Sequence, residues 1–335
     1  MAGHNTPIGA DETIDRVPRR PDVTEWKRAA RRHQNDWRAA RSWPAGERPG
    51  RLAAGEKRGQ IGSRVDLDYA KQHRTNFLTT AAWDAAEDRI RNRQDRQTLD
   101  ETRLYSDLLS SMPMCFNLLG PLWADPALAS AVAHRWFPDL VPEGAPVKVC
   151  FEWSPGRSNP KWLDDRTAFD AALFVDPEGT RTLIGIETKY HEHPVKEPIS
   201  KRNKKTGEVT HRVLKPRYVE VSREANIADE PTIRSAIWGQ EIEQVWRDHL
   251  LALVCNQQAE DRWNRVHYAL VAPAANPAWQ PLVGGYLTVA PNAASTCTYR
   301  SIDSMVTAAE DLLPHAAQFR ARYLDVEGAP AQPAP

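Results

Sequence analysis

Two apolar stretches on either side of a short turn decide the fold: TAFDAALFV at residues 167–175 and RTLIGIETKY at residues 181–190. Both are rich in β-branched, aliphatic and aromatic residues, which predicts that each forms a strand. The sequence between them, DPEG at 176–179, is typical of a turn. Together they predict a β-hairpin, and VKVCFEW at 147–153 predicts another strand just before it.

Three of the charged residues of this hairpin lie within its apolar strands: Asp170 in the first, and Glu187 and Lys189 at the end of the second. Because side chains alternate between the faces of a strand, Glu187 and Lys189 share one face, and the adjacent strand brings Asp170 within reach of both. Charges in apolar surroundings are costly unless they are paired or bound to a metal. The cluster is therefore either a chemical site or an exposed ion pair at a strand edge.

Two carboxylates and a lysine suit metal-assisted hydrolysis of a phosphodiester. Carboxylate oxygens bind Mg²⁺, which keeps several waters and contacts phosphate oxygens. The metal generates hydroxide and offsets the charge of the phosphate. A lysine can orient or deprotonate the attacking water, or stabilise the charge that develops.

Hydrophobic periodicity in the rest of the chain predicts helices around a sheet. The order is helix, three strands, helix, strand, and then a closing strand and helix, which predicts an α/β fold with a central mixed β-sheet flanked by helices. Residues 191–223 have no clear period, and a stretch of this length is expected to be functional or disordered. Helices are expected at 26–42, 66–92, from 99 onward, 231–259 and 302–324, and strands at 147–153, 167–175, 181–190, 266–272 and 296–300.

The two ends of the chain differ from its middle in composition. Residues 1–64 are rich in Arg, Ala, Pro and Gly, and we interpret them as a basic, partly disordered arm with one short helix. Contact with nucleic acid is the functional alternative for this arm. Residues 65–326 form the predicted globular domain, and the tail EGAPAQPAP at 327–335 has a disordered composition.

Composition excludes several classes of protein. The 335 residues include 44 Lys+Arg and 44 Asp+Glu, and this net charge of zero by itself disfavours a nucleic-acid partner. No apolar run reaches the roughly 18 residues that span a bilayer, and the N-terminus has no hydrophobic signal region. The cysteines are few and form no C-x-x-C pair. A zinc site is therefore not expected, and we expect a reducing, cytoplasmic location. These cysteines are Cys115, Cys150, Cys255 and Cys297.

Positive charge is concentrated just after the hairpin. Residues 196–217 contain eight basic residues against Glu197 and Glu208, a local net charge of +6. A charge run is ordinarily a solvated loop, but its position after Lys189 favours contact with phosphate and hence salt-dependent binding. The basic residues are Lys196, Lys201, Arg202, Lys204, Lys205, Arg212, Lys215 and Arg217.

The charged cluster resembles the motif of the PD-(D/E)XK nuclease superfamily, on strands in the same helix, three strands, helix, strand order. The segments ETRLYSDLLSSMPMCFNLLGPL, FEWSPGR and IGIETKYHE are also similar to a bacterial branch related to restriction endonucleases. The resemblance covers about residues 99–325 and implies a restriction-endonuclease-like αβββαβ core behind an N-terminal helical extension. It also implies phosphodiester cleavage that depends on Mg²⁺ or Mn²⁺.

The resemblance implies a role for each residue of the motif. By motif position, Asp170 and Glu187 would be metal ligands, with the Thr188 carbonyl as a third. Lys189 would be the catalytic lysine. The sequence departs from the family pattern at Phe169, which replaces the proline before the aspartate and which also suits a buried strand.

Four further residues keep two interpretations each. Glu152, at the end of the strand 147–153, is either a further metal ligand or the ion-pair partner of Arg157. Glu101 opens a helix, where an acid of the first turn is the favoured interpretation and a metal ligand is the alternative. Gln244 and Arg247 lie on the helix after the motif, either on a solvated face or near the phosphate.

The leading hypothesis is a cytoplasmic, metal-dependent endodeoxyribonuclease that acts on DNA in preference to RNA and has no membrane partner. One alternative is a non-catalytic nucleic-acid-binding module on the same fold, against which the complete set Asp170, Glu187 and Lys189 argues. Another is an Mg²⁺-dependent hydrolase of small phosphoesters, against which the basic segment argues. A homodimer that cuts both strands is compatible with the sequence, which contains no dimer signature.

Overall fold

The computed structural model describes residues 24–49, 59–97, 99–176, 180–203, 206–258 and 263–329. Within these ranges the chain forms α1 Glu25–Ala39, α2 Leu67–His73, α3 Thr80–Arg91, α4 Glu101–Ser106, α5 Ser111–Ala124, α6 Pro126–Trp136, α7 Pro216–Glu224, α8 Glu230–Thr232, α9 Glu243–Gln257, α10 Trp279–Val289, α11 Ile302–Ala308 and α12 Ala316–Tyr323. Its strands are β1 Ala45–Glu47, β2 Gln60–Val65, β3 Val147–Trp153, β4 Phe169–Val175, β5 Thr182–Thr188, β6 Ser200–Arg202, β7 Val209–His211, β8 Arg265–Ala272 and β9 Cys297–Ser301.

A five-stranded mixed sheet forms the centre of the structure, in the order β3-β4-β5-β8-β9. The pairs β3/β4 and β4/β5 are antiparallel, whereas β5/β8 and β8/β9 are parallel. The middle strand, β5, is buried along its whole length, as expected for a strand that is covered on both faces. The predicted α/β fold with a central mixed sheet is therefore confirmed.

Helices cover both faces of this sheet. One hydrophobic core joins α1, α3, α5, α6, α11 and α12 to strand residues such as Leu173 and Ile186. The other joins α7, α9 and α10 to residues such as Leu183 and Leu270. Because side chains alternate along β5, Glu187 lies on the same face as Leu183, the face that α9 covers.

Helix α1 packs directly behind the charged end of β5. Trp26 is buried, and its indole N–H donates a hydrogen bond to the carbonyl of Tyr190 at 2.7 Å. The amide of Gln34 donates to the Tyr190 hydroxyl at 2.9 Å. Part of the segment that was expected to be an arm is therefore integrated into the domain. The remainder of the arm, 1–23 and 50–58, and the tail beyond 329 lie outside the described residues.

Four predicted helices are each interrupted. The helix expected at 302–324 is divided into α11 and α12. The helix expected at 66–92 ends after α2 at Arg74, whose φ of 55° is left-handed, and resumes as α3. The helix expected from residue 99 is divided into α4 and α5, and Pro113 lies in the first turn of α5, where backbone N–H groups lack helical partners anyway. The helix expected at 231–259 is divided at Gly239, whose φ is +81°, and its second part is α9.

The stretch 191–223 contains regular structure that its sequence did not reveal. Strands β6 and β7 pair in antiparallel fashion as an isolated two-stranded sheet, and α7 follows. Every residue of β6 and β7 is exposed, so the hydrophobic alternation that identifies a half-buried strand is absent.

Gly185 of β5 makes room for Phe169, the residue that precedes Asp170. A Cβ atom on Gly185 would lie 2.5 Å from the Phe169 ring, which is fully buried. We therefore expect Gly185→Ala to lower the free energy of unfolding by about 1–3 kcal/mol, measured by urea denaturation. The matched control is Gly284→Ala in α10, where a Cβ meets nothing within 4 Å. Equal losses in the two variants would contradict this packing.

Candidate active site

The pairing of β4 with β5 brings Asp170 and Glu187 together. Ala171 of β4 pairs with Ile186 of β5. The next residues along the two strands, away from the turn, are Asp170 and Glu187, which therefore lie opposite each other. Residues directly opposite each other on antiparallel strands share a face, with Cβ atoms about 4.5–5.5 Å apart. The two carboxylates selected from the sequence are therefore neighbours, close enough to share one ion.

Thr188 holds the Asp170 carboxylate in place. Oδ2 of Asp170 accepts a hydrogen bond from the Thr188 N–H at 2.8 Å and another from the Thr188 hydroxyl at 2.6 Å. Oδ1 makes no hydrogen bond to any other part of the chain that the structure describes. One oxygen of Asp170 is thus fixed by the strand, and the other is left for an external ligand.

Lys189 is held at the end of β5 by backbone and side-chain contacts. Its N–H donates to the carbonyl of Val271 on β8 at 2.9 Å. Its ammonium Nζ donates to Oε1 of Glu187 at 2.7 Å and lies 5.3 Å from the centre of the Trp279 ring. The side chain is nearly buried, with 10% of its surface exposed. The ammonium group is therefore confined beside the two carboxylates.

The electrostatics of this cluster disfavour two ionised carboxylates. Burial raises the pKa of Asp170, although the ammonium of Lys189 and the hydrogen bonds from Thr188 oppose that shift. Burial, and then repulsion from Asp170, raise the pKa of Glu187 well above its ordinary value, against the attraction of Lys189. A single ammonium group leaves part of this negative charge without a counter-ion.

The carboxylates line a pocket of about 430 Å³ between the sheet and α9. Gln244 of α9 lines it and donates from Nε2 to Oε1 of Glu187 at 3.2 Å. Arg247 lies one turn further along and also lines the pocket. A larger cavity of about 880 Å³ lies beside β3 and contains neither carboxylate. Gln244 and Arg247, the two residues of this helix that the sequence suggested, therefore both line the pocket.

The donor set of the pocket fits a hard divalent cation. Oδ1 of Asp170 and Oε2 of Glu187 are carboxylate oxygens without hydrogen bonds to other described residues, and Mg²⁺ binds through one or two carboxylates and several waters. Among the described residues, no group of three His, Cys, Asp or Glu side chains is arranged to hold a metal. The Thr188 carbonyl, a backbone group, stays the predicted third protein ligand.

Glu152 lies opposite Asp170, at a break in the pairing of β3 with β4. It has a φ of 50°, a strained value for a residue with a side chain, and β3 resumes its pairing with β4 on either side of it. Burial, followed by repulsion from Asp170, raises its pKa to about 8, although Arg157 opposes the shift. Arg157 donates to the Glu152 backbone carbonyl at 2.7 Å instead of the carboxylate. In the described part of the chain no ion pair joins Arg157 to the Glu152 carboxylate, and a role for Glu152 as a further metal ligand stays a prediction.

Glu101 lies apart from the cluster. Its carboxylate pairs with Lys71 and Arg93, each at 3.1 Å, and is 43% exposed. Its position in the first turn of α4 agrees with the interpretation that the sequence favoured. The helix that does approach the site is α5, whose buried Cys115 lies near Asp170 and Glu152. Burial raises the pKa of the Cys115 thiol, and the charges of Asp170 and Glu152 raise it further.

The basic segment divides into paired and unpaired residues. Arg212 pairs with Glu243 and Glu197, Lys215 with Asp164, and Arg217 with Glu220. Within the described ranges, Lys196, Lys201 and Arg202 are exposed and form no ion pair, while Lys204 and Lys205 lie outside those ranges. The surface available to phosphate is therefore smaller than the local charge of +6 indicates.

Asp248 is a buried acid of the pocket that the sequence analysis did not select. It lies on α9 one turn after Gln244, is 5% exposed, and its Oδ2 is buried without a hydrogen-bond partner. Burial raises its pKa to about 7, with Asp170 adding to the shift and Arg247 and Lys189 opposing it. The spacing of four residues from Gln244 was the available signal, because such residues share a helix face.

We expect Asp248→Asn to flatten the dependence of stability on pH. The carboxyl group is protonated in the folded state up to a pH of about 7, whereas in the unfolded chain it ionises near 4. Its contribution to stability is therefore lost as the pH rises from 4 to 7, by at most about 1.4 kcal/mol per pH unit. Urea denaturation in EDTA from pH 4 to 8 measures this slope. Wild-type and variant curves that stay parallel would contradict the prediction.

Glu192 is a second acid near the site, and it ties α5 to the segment after Lys189. Its carboxylate accepts from the Ser111 hydroxyl at 2.9 Å and from the Tyr190 N–H at 2.7 Å. Burial would raise its pKa, but His191, Lys189 and the backbone hydrogen bonds lower it to about 2. Glu192 is therefore ionised and connects α5 to the segment after Lys189. Its position between two histidines in the sequence did not indicate that role.

Most of the chain matches a known protein family. Residues 21–325 match a family model described as the PD-(D/E)XK nuclease superfamily. The match begins before α1 and ends after α12, so it includes the N-terminal helix as well as the sheet. No curated protein and no solved structure matches the chain.

Proposed function

Because this chain belongs to the PD-(D/E)XK nuclease superfamily, whose members are in general metal-dependent nucleases, we propose that it hydrolyses phosphodiester bonds of DNA. The observation that carries the proposal is that Asp170 and Glu187 line one pocket, each with a carboxylate oxygen free for a ligand, while Lys189 donates a hydrogen bond to Glu187. In this proposal Asp170, Glu187 and the Thr188 carbonyl hold Mg²⁺ or Mn²⁺.

Each residue of the cluster has a separate task in the proposed reaction. The cation, when bound, offsets charge on the phosphate and makes a neighbouring water more acidic. Thr188 keeps the Asp170 carboxylate in a fixed orientation through two hydrogen bonds. Lys189, held by Glu187, directs its ammonium protons at the attacking water or at the charge that develops on the phosphate. Gln244 fixes the Glu187 oxygen that Lys189 also contacts.

The charges around the pocket favour a nucleic acid over a small phosphoester as the substrate. Arg247 lines the pocket itself, and Lys196, Lys201 and Arg202 are exposed cations on the segment that follows the catalytic strand. A small phosphoester would need cations only inside the pocket, whereas a nucleic acid also places phosphates outside it. We propose DNA as the substrate and an internal bond as the point of cleavage.

A cleavage assay tests the proposal. Supercoiled plasmid, linear duplex, single-stranded DNA and single-stranded RNA are each incubated with purified protein in Mg²⁺, in Mn²⁺ or in EDTA. We expect cleavage of DNA with either metal and none in EDTA. A circular substrate separates internal cleavage from trimming of ends, because only internal cleavage opens a circle. Cleavage that persists in EDTA, or hydrolysis restricted to small phosphoesters, would overturn the proposal.

Among the described residues, no helix is long and apolar enough to cross a membrane. The four cysteines form no disulfide bond, which supports a reducing compartment, and on this basis we propose a cytoplasmic location. A homodimer that cuts both strands of a duplex also belongs to the proposal, and sedimentation at cleavage concentrations tests it.

A further inference from the structure

The exposed apolar side chains of this protein are gathered in one place. Among the described residues, the large hydrophobic side chains that are exposed are Val195, Ile199, Val209 and Val213, with exposures of 59%, 43%, 47% and 78%. Ile199, Val209 and Val213 lie in or next to the two-stranded ribbon formed by β6 and β7, and Val195 precedes β6 by five residues. Concentrated exposed apolar surface marks a site of interaction, and an isolated ribbon of two strands has little stability of its own.

The two faces of the ribbon carry different chemistry. Arg202 pairs with Val209 and Ser200 pairs with His211, so these four residues share one face. Lys201 and Thr210 lie on the other face. The first face thus combines a guanidinium group, an imidazole and a small apolar side chain, all of them exposed. These are groups that can read base edges, where arginine binds guanine and an apolar side chain contacts the methyl group of thymine.

The root of the ribbon is fixed next to the catalytic cluster. Arg212, just after β7, pairs with the fully buried Glu243 at the start of α9, and its N–H donates to the carbonyl of Ile199 at 2.7 Å. The residue after Glu243 is Gln244, which contacts Glu187. The first turn of α9 therefore contacts both the root of the ribbon, through Glu243, and the carboxylate of Glu187, through Gln244.

We propose that the ribbon of β6 and β7 enters the major groove of double-stranded DNA while the phosphate to be cleaved lies at Asp170 and Glu187. This inference rests on the proposed function and adds to it a duplex substrate and contact with base edges. The major groove, about 12 Å wide, admits a two-stranded ribbon. Lys196, Lys201 and Arg202 match the charge of a duplex, whereas a second copy of the chain would bring these cations against each other.

The test separates groove contact from phosphate contact by comparing two kinds of substitution. Val209→Ser with Val213→Ser removes apolar surface and no charge, whereas Lys201→Ala removes one charge. Binding of a mixed-sequence duplex and of its separate strands is measured by fluorescence anisotropy over a range of salt, in a Lys189→Ala background. Arg91→Ala, an exposed arginine of α3 on the other side of the sheet, is the matched control.

For the valine variant we expect affinity for the duplex to fall about tenfold, with affinity for single strands and the salt slope unchanged. A duplex with uracil in place of thymine should weaken binding of the parent protein but not of this variant. Lys201→Ala should reduce the slope by about one on the duplex.

Equal losses on duplex and single strands, an unchanged duplex affinity, or a change of oligomeric state in the valine variant would each overturn the ribbon inference. Cleavage restricted to single strands would overturn it while leaving the proposed function intact. A wild-type protein that binds the duplex through the ribbon but cleaves nothing would overturn the proposed function instead.

Discussion

Lys189→Ala is expected to cut DNA about 10²–10⁴-fold more slowly than the wild-type protein in the same metal. Its ammonium lies 2.7 Å from Oε1 of Glu187 and is nearly buried, whereas Arg247, which lines the pocket, pairs with Glu197 and Glu243. Without it, the attacking water loses its orienting donor and the charge that develops on the phosphate loses a counter-charge. Initial rates of plasmid cleavage at saturating Mg²⁺ measure the effect.

Lys148→Ala provides the matched control for that experiment. Lys148 is an exposed lysine of the same sheet, on the edge strand β3, and its removal should leave the rate unchanged. Circular dichroism and thermal unfolding establish that both variants are folded, because removing Lys189 leaves Glu187 without its ion pair. A folded Lys189→Ala protein that retains the wild-type rate would remove Lys189 from the mechanism.

Asp170→Asn is expected to have two opposite effects: higher stability in EDTA, and loss of both cleavage and metal-induced stabilisation. Burial raises the pKa of Asp170, which means that its ionised form destabilises the folded protein. The asparagine carbonyl can still accept the hydrogen bonds from Thr188, so the substitution removes charge without removing the local geometry. A cation that binds the folded protein at a hundred times its Kd adds about 2.7 kcal/mol to the wild-type protein.

Thermal unfolding with and without Mg²⁺ measures both effects on one sample. Asp68→Asn, an exposed acid in the first turn of α2, is the matched control and should respond to Mg²⁺ as the wild-type protein does. A wild-type midpoint that rises with Mg²⁺ and an Asp170→Asn midpoint that rises equally would place the metal elsewhere. A lower midpoint of Asp170→Asn in EDTA would contradict the destabilising effect of the buried charge.

The catalytic strands could be predicted because their information is local. The alternation of side chains along 181–190 places Glu187 and Lys189 on one face, and the turn at 176–179 brings Asp170 beside them. The structure departs from the prediction where contacts between residues far apart in the sequence determine the local structure. The arm was expected to be loosely ordered from its composition, yet Trp26 docks on Tyr190, a contact across 164 positions in the sequence.

Residues whose role depends on a distant partner were the ones that sequence reasoning missed or left open. Asp248 reaches the pocket because α9 crosses the face of the sheet that carries Glu187. Glu152 has a left-handed backbone angle that its residue type does not favour, and repulsion from Asp170 adds to the rise of its pKa after burial. Arg212 was counted among the cations for phosphate, but the buried Glu243 takes it as a partner.

The sequence by itself determined the five strands of the central sheet, the hairpin and its three charged residues Asp170, Glu187 and Lys189, because strand periodicity and turn chemistry act over a few neighbouring residues. It also revealed a positive segment inside a chain of zero net charge. Only the tertiary structure decided which of those cations remain free and which acids join the site. It also decided that β6 and β7 form an exposed ribbon. The physical reason is that ion pairing, burial and the pKa shifts that follow depend on distances between residues far apart in the chain.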